Sequence, residues 1–126
     1  MVDSELSWQY VAGFFDGEGC VTHRVDGNRD SYEIDCSNSN LSSLKSIQKF
    51  INTGILTQDR KADDHYKALY RLRVRDHRNV LRVATGMAAF SIVKKAQLLK
   101  AITHISNHRY GRCILDLEEV KTLYNT

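Results

Sequence analysis

Trp8-Gln9-Tyr10-Val11-Ala12-Gly13-Phe14-Phe15-Asp16-Gly17-Glu18-Gly19-Cys20-Val21 decides how this chain is read. Its apolar residues do not alternate, so the stretch predicts a helix rather than a strand. Trp8, Val11, Ala12 and Phe15 share one side of the helical wheel, while Tyr10, Gly13 and Gly17 share roughly the opposite side. A helix that is apolar or small nearly all round is buried on both faces. One face can pack on the chain's own core, and the other must meet something else. Two glycines inside a helix cost about 0.5–1 kcal/mol each relative to alanine. Gly13 and Gly17 stand one turn apart and clear a strip free of side chains, which suits close approach of a second backbone.

The end of this helix breaks a local rule. Asp16 and Glu18 sit where the macrodipole is already negative, an unfavourable placement by about 0.3–1 kcal/mol. Gly19 is predicted to stop the helix at positive φ. A divalent cation would reverse the penalty, because carboxylates and helix-terminal carbonyls both become ligands. On spacing alone, a core helix with a solvated acidic end explains these residues equally well. The nine residues Val11-Ala12-Gly13-Phe14-Phe15-Asp16-Gly17-Glu18-Gly19 closely resemble the signature of the LAGLIDADG homing endonucleases. Tyr10 just upstream and the apolar strand just after also fit. Val11 stands in place of the usual Leu, and Glu18 in place of Asp at the metal-binding position, where it keeps the carboxylate.

With 126 residues and 42% hydrophobic content, the chain is expected to form one small domain over 1–126 with its own core. It has no low-complexity tract and no apolar run long enough to span a membrane. The N-terminus lacks a basic-then-apolar leader, which argues against export and for an intracellular protein. Cys20, Cys36 and Cys113 are an odd set without CxxC spacing; they read as buried thiols in a reducing compartment. A net charge of +3 is too weak by itself to argue for nucleic acid, so the placement of charge matters more.

Along the chain, Ser7 is predicted to cap the first helix. Cys20–Val25 reads as a strand, with Val21, His23 and Val25 on one side and Thr22 and Arg24 on the other. Asp26-Gly27 signals a hairpin. Ser31–Cys36 returns with Tyr32, Ile34 and Cys36 toward the core. Ser37-Asn38-Ser39-Asn40 caps a helix carrying Leu41, Leu44, Ile47 and Ile51, which Asn52-Thr53-Gly54 ends. Ile55–Asp59 and Tyr66–Arg75 form a second hairpin around the charged loop Arg60–His65. Asp76 caps a helix that Gly86 ends near Thr85. Ser91 caps the next, with Ile92, Ala96, Leu99 and Ile102 as its buried stripe. Asn107–Arg112 is a break, and Asp116–Tyr124 a last amphipathic helix. This order defines an α+β fold: a four-stranded antiparallel sheet with helices on one face. It also matches the α-β-β-α-β-β-α core that the resemblance implies, to about Ile105.

The uncovered face of that sheet carries Arg24, Arg71, Arg73 and Arg75, with Thr22, Asp26, Asn28, Glu33, Asp35, Ser37 and Lys67. Alternating arginines place a charge roughly every 6.8 Å along one strand. An antiparallel ribbon fits the DNA major groove, where Arg reads guanine bidentately and its neighbours hold phosphates. Cross-strand pairing of Glu33 or Asp35 with the arginines on a solvated face is the plainer alternative.

The resemblance implies a site-specific DNA endonuclease from a mobile element (intron homing), hydrolysing phosphodiesters in both strands of double-stranded DNA at a long pseudo-palindromic site. It further implies a homodimer through the signature helices, with Tyr10, Gly13, Phe14 and Gly17 at the interface. Mg²⁺, whose sites Mn²⁺ or Ca²⁺ can also occupy, is implied on Glu18 and the Gly19 carbonyl, with Asp16 mainly structural. Asn38 matches a water-orienting position, and Lys94 (or Lys95, which spacing does not separate from it) a positive charge near the nucleophile. Such a protein works inside the cell wherever its DNA lies, in a bacterial or phage-infected cytoplasm or an organelle, with no membrane partner. The alternative on the same scaffold is a nuclease-silent RNA maturase or DNA-binding regulator. His104 and His108, with Cys113, have no acidic base in an HExxH pattern, so the pair reads as capping helix-end carbonyls rather than holding metal.

Overall fold

The computed structural model describes residues 6–27 and 29–108. Asn28, Cys113, the Asp116–Tyr124 segment and the side chain of His108 lie outside what is described. Helix α1 (Trp8–Glu18) starts at Ser7, whose Oγ accepts a hydrogen bond from the Tyr10 N–H at 3.2 Å. Strands β1 (Gly19–Asp26) and β2 (Arg29–Asn38) follow as a hairpin, Asp26 opposite Arg29, with Gly27 at φ +62°. That left-handed conformation suits a residue without a Cβ. Helix α2 (Leu41–Ile51) is capped by Asn40 and closed by Asn52 in the left-handed region. Strands β3 (Ile55–Arg60) and β4 (Leu69–Val74) lead to α3 (His77–Ala88), capped by Asp76, and then to α4 (Lys95–His108).

The sheet order is β1-β2-β4-β3, antiparallel throughout. Ile34, Cys36, Leu72 and Val74 point from its two central strands into one core with Val11, Ala12 and Phe15 of α1, Leu44, Ile47 and Ile51 of α2, and the buried faces of α3 and α4. The expected α+β architecture is therefore the observed one. Burial of these side chains, at about 1.5–3 kcal/mol each, is what holds four helices to one side of the sheet.

Six local expectations are corrected. Gly19 does not end α1 at positive φ; at φ −100°, ψ 170° it is already extended and opens β1. What requires glycine there is space, because a Cβ would sit 2.1 Å from Cδ1 of Phe15. Gly86 does not end α3 either. It is buried inside the helix, where a Cβ would lie 2.6 Å from the Trp8 ring. Strand β4 begins at Leu69, not Tyr66, because the Asp63 carboxylate accepts from the His65 and Tyr66 N–H groups and folds 63–66 into a turn. Helix α4 begins at Lys95, so Ser91 is not its cap, and Ile92 and Ala96 are exposed; the buried stripe is Leu98, Ala101, Ile102 and Ile105. It continues through Asn107 to His108, where a break was expected. Finally, Cys20 is exposed, and only Cys36 of the two described cysteines is buried.

The bond observed for His104 is to a strand carbonyl rather than to a helix end. Its Nε2 donates to the Asp30 carbonyl of β2 at 3.1 Å, and its ring lies against those of His23 and Tyr32. This contact ties α4 to the first hairpin.

Gly86→Ala is expected to destabilise the fold by about 1–2 kcal/mol through the Trp8 clash, although helix propensity alone favours alanine by about 1 kcal/mol. Urea denaturation reads the sign: a raised midpoint would mean that Trp8 yields without cost.

Candidate metal centre and nucleic-acid face

The two acids at the end of α1 have opposite fates. Asp16 is saturated with donors from the segment that joins α3 to α4. The Ser91 hydroxyl donates to its carboxylate, as do the N–H groups of Ile92 at 2.7 Å, Val93 at 3.2 Å and Lys94 at 3.2 Å. These partners lie 75 to 78 residues along the chain. Burial alone would raise the Asp16 pKa, but the four donors outweigh it and hold the carboxyl below its ordinary value of 3.8. Asp16 thus binds, from another element, the segment that leads into α4.

Glu18 is the last residue of α1, and it is exposed. Among the described residues no hydrogen bond or ion pair reaches its carboxylate. Beside it Gly19 begins β1, donating its N–H back to the Phe15 carbonyl. An unengaged carboxylate next to a backbone carbonyl is a hard-oxygen donor pair, the kind that Mg²⁺ or Ca²⁺ takes. Within one chain no three His, Cys, Asp or Glu side chains converge among the described residues. Glu18 and Gly19 fit such an ion as a partial ligand set that needs further oxygens.

The other sequence-predicted catalytic positions fall as follows. The hydrogen bond to Asp16 brings the Lys94 backbone to the C-terminal end of α1, whereas Lys95 starts α4. Asn38 ends β2 opposite Tyr70, and its Oδ1 accepts from the Asn40 N–H at 2.8 Å, stabilising the turn into α2.

On its outer side α1 is open. A Cβ at Gly13 or Gly17 would meet nothing within 4 Å, and Tyr10, stacked on Phe14 with ring centroids 6.4 Å apart, is 46% exposed. The structure leaves all four expected interface residues together on or beside this strip.

The sheet face away from the helices is fixed by register. Thr22 pairs with Glu33, Asp35 with Arg73, and Ser37 with Arg71. Arg24 and Asp26 continue the β1 side, and Arg75 follows β4. Lys67 lies outside the sheet, in the loop that precedes β4, where its carbonyl accepts from Arg60. Glu33 does not stand in solvent but is 6% exposed beneath arginines. Arg73 Nε lies 2.9 Å, Arg24 Nε 3.4 Å and Arg75 Nε 3.9 Å from its carboxylate. Asp59 of β3, which sequence reasoning missed, pairs with Arg71 at 2.8 Å. The alternation of Thr57 and Asp59 in β3 was the signal that could have found it. Burial, with Glu33 and Asp59 nearby, raises the Asp35 pKa against the pull of Arg71 and Arg73.

A family model of LAGLIDADG-like domains matches residues 5–86, well over half of the 126. The chain belongs to that family. No curated protein matches it in sequence. Among solved structures, the homing endonuclease I-CvuI in complex with its target and Ca aligns with a TM-score of 0.67 at 15% identity, over 94% of this chain and 92% of that one. The homing endonuclease I-TnaI aligns at 0.61 and 19% identity, over 95% and 97%. The meganuclease I-AabMI bound to uncleaved DNA aligns at 0.67 and 20% identity, over 94% of this chain but 42% of its own. The fold is that of the LAGLIDADG homing endonucleases.

Asp16→Asn is expected to cost about 1–2 kcal/mol at neutral pH, the scale of a lost charged cap. A carboxyl with a depressed folded pKa contributes stability above its unfolded value of 3.8, and that contribution is lost as pH falls through the folded pKa. The difference in unfolding free energy between wild type and variant should therefore be present at about pH 6 and shrink toward about pH 3. A pH-independent difference would assign the loss to packing.

Proposed function

We propose that this chain is a homodimeric, Mg²⁺-dependent, site-specific DNA endonuclease, encoded by a mobile element and acting inside the cell that holds its target. The observation that carries this reading is the division of labour at the end of α1. Asp16 is fully engaged within the fold, whereas Glu18 is exposed and unengaged beside a glycine-cleared helix face. The extent of the alignments supports the dimer. One chain spans nearly the whole of I-CvuI and I-TnaI, solved as homing endonucleases, and less than half of I-AabMI.

Two copies of α1 packed through Gly13 and Gly17, with Tyr10 and Phe14 closing the sides, bring two Glu18 carboxylates together. Like charges so placed repel, and a divalent cation relieves that repulsion. In the proposed site Glu18 and the Gly19 carbonyl hold Mg²⁺, which when bound lowers the pKa of water and neutralises phosphoryl charge. Lys94 adds positive charge beside the scissile phosphate. Asn38, whose Oδ1 is occupied by the turn, offers its NH₂ group to position water. Each sheet lies in a major groove, contacting DNA through Thr22, Arg24, Asp26, Asp35, Ser37, Arg71, Arg73 and Arg75, so twofold protein asks for twofold DNA. An unengaged acid at the metal-binding position favours the nuclease over the silent maturase or regulator.

Incubation with a randomised duplex library and Mg²⁺ tests this. Wild type is expected to cut both strands of an enriched pseudo-palindrome. Glu18→Gln should bind it with similar affinity and lose cleavage by on the order of 10³ or more, as when a stabiliser of transition-state charge is removed. Undiminished cutting by the variant would remove Glu18 from the mechanism. Binding without cutting by wild type would make the chain a silent binder.

A further inference from the structure

We infer that Glu33 is a positioning residue for DNA recognition: a buried counter-charge that fixes Arg24, Arg73 and Arg75 for base readout and weakens their pull on arbitrary phosphates. The inference rests on the DNA-binding reading above and goes beyond it. A carboxylate whose side chain is 8% exposed has to be paired, because an isolated buried charge is costly. Its partners come from both neighbouring strands. Arg24 approaches from β1, diagonal to the Thr22–Glu33 pair, and Arg73 and Arg75 approach from the β4 side. Glu33 is thus an acidic centre under three guanidiniums on the face that would meet the groove.

All three arginines approach through Nε, the inner edge of the guanidinium. Among the described residues, their terminal amino groups make no hydrogen bond. The hold is ionic rather than a directed hydrogen bond, since Arg73 Nε is buried without a hydrogen-bond partner; the carboxylate draws the inner edge of each guanidinium toward it and leaves the outer edge available. That edge is the one that pairs with O6 and N7 of guanine. Side chains already held in place lose less freedom on binding, which favours contacts of defined geometry. Phosphate attraction needs no such geometry and depends mainly on net charge. Glu33 subtracts one charge from three, so it lowers non-specific affinity and raises discrimination together.

The experiment compares wild type, Glu33→Gln and Glu33→Asp for binding to the selected site and to a scrambled duplex, in EDTA, across a salt series. For Glu33→Gln, affinity for the scrambled duplex is expected to rise and its salt slope to steepen by about 0.9, one phosphate equivalent. Its specificity ratio should fall about tenfold or more, concentrated at the base pairs under the three arginines, the cost of about one bidentate contact. Glu33→Asp keeps the charge, so its salt slope should stay that of wild type while discrimination drops in part. A purely structural Glu33 would lower both affinities together at an unchanged slope, and that result overturns the inference. Misfolding of Glu33→Gln leaves Glu33→Asp to decide: undiminished discrimination would overturn it. Wild type that fails to prefer any duplex would instead sink the DNA-binding reading, and this inference with it.

Discussion

A helix that is apolar or small nearly all round cannot leave one face in water without cost, and α1 is such a helix. Its inner side is settled within the chain by Val11, Ala12 and Phe15 against the core and by Trp8 against Gly86 and Phe50. Its outer side is a bare glycine strip flanked by Tyr10 and Phe14. Two helix glycines weaken the isolated chain by about 1–2 kcal/mol in all. A neighbour that comes close only because they are glycines would more than offset that.

The position of everything else follows from how α1 is anchored. Asp16 draws four donors from residues 91–94 and so locks the C-terminal end of α1 to the entry of α4. His104 of α4 in turn bonds the Asp30 carbonyl of the first hairpin. Helix end, hairpin and Lys94 become parts of one rigid unit, with Glu18 left at its tip. Acid placement that looks unfavourable in isolation is then two separate solutions. Asp16 is compensated by the fold, and Glu18 stays exposed and unengaged.

Periodicity carried most of the architecture. The 3.6-residue pattern of α1 and the strict alternation of Tyr70 to Val74 each depend on local sequence; α1 formed where it was expected, and β4 formed over that alternating part but began three residues late. Caps with short-range partners, Ser7, Asn40 and Asp76, were equally legible. What sequence did not reveal depends on residues far along the chain. Gly86 answers to Trp8, and Ser91 to Asp16, 75 positions away. Glycine chemistry misled twice for one reason: at Gly19 and Gly86 the missing Cβ provides room, not a left-handed backbone. Glu33 lay on the expected face of its strand, yet its burial needs arginines from two other strands and no local pattern encodes it. Lys67 falls outside the strand because the Asp63 turn interrupts a run that otherwise alternates.

In the proposed dimer, the open sheet face and the tip of α1 make one working surface once a second copy supplies the other half. Among the described residues of one chain no three His, Cys, Asp or Glu side chains converge to hold a metal ion. Native mass spectrometry of the protein on its selected duplex addresses this most directly. Two chains per duplex, held together at protein concentrations where the DNA is saturated, is the expected mass; a single chain bound to an intact, fully recognised site would contradict the pairing of α1 across two copies.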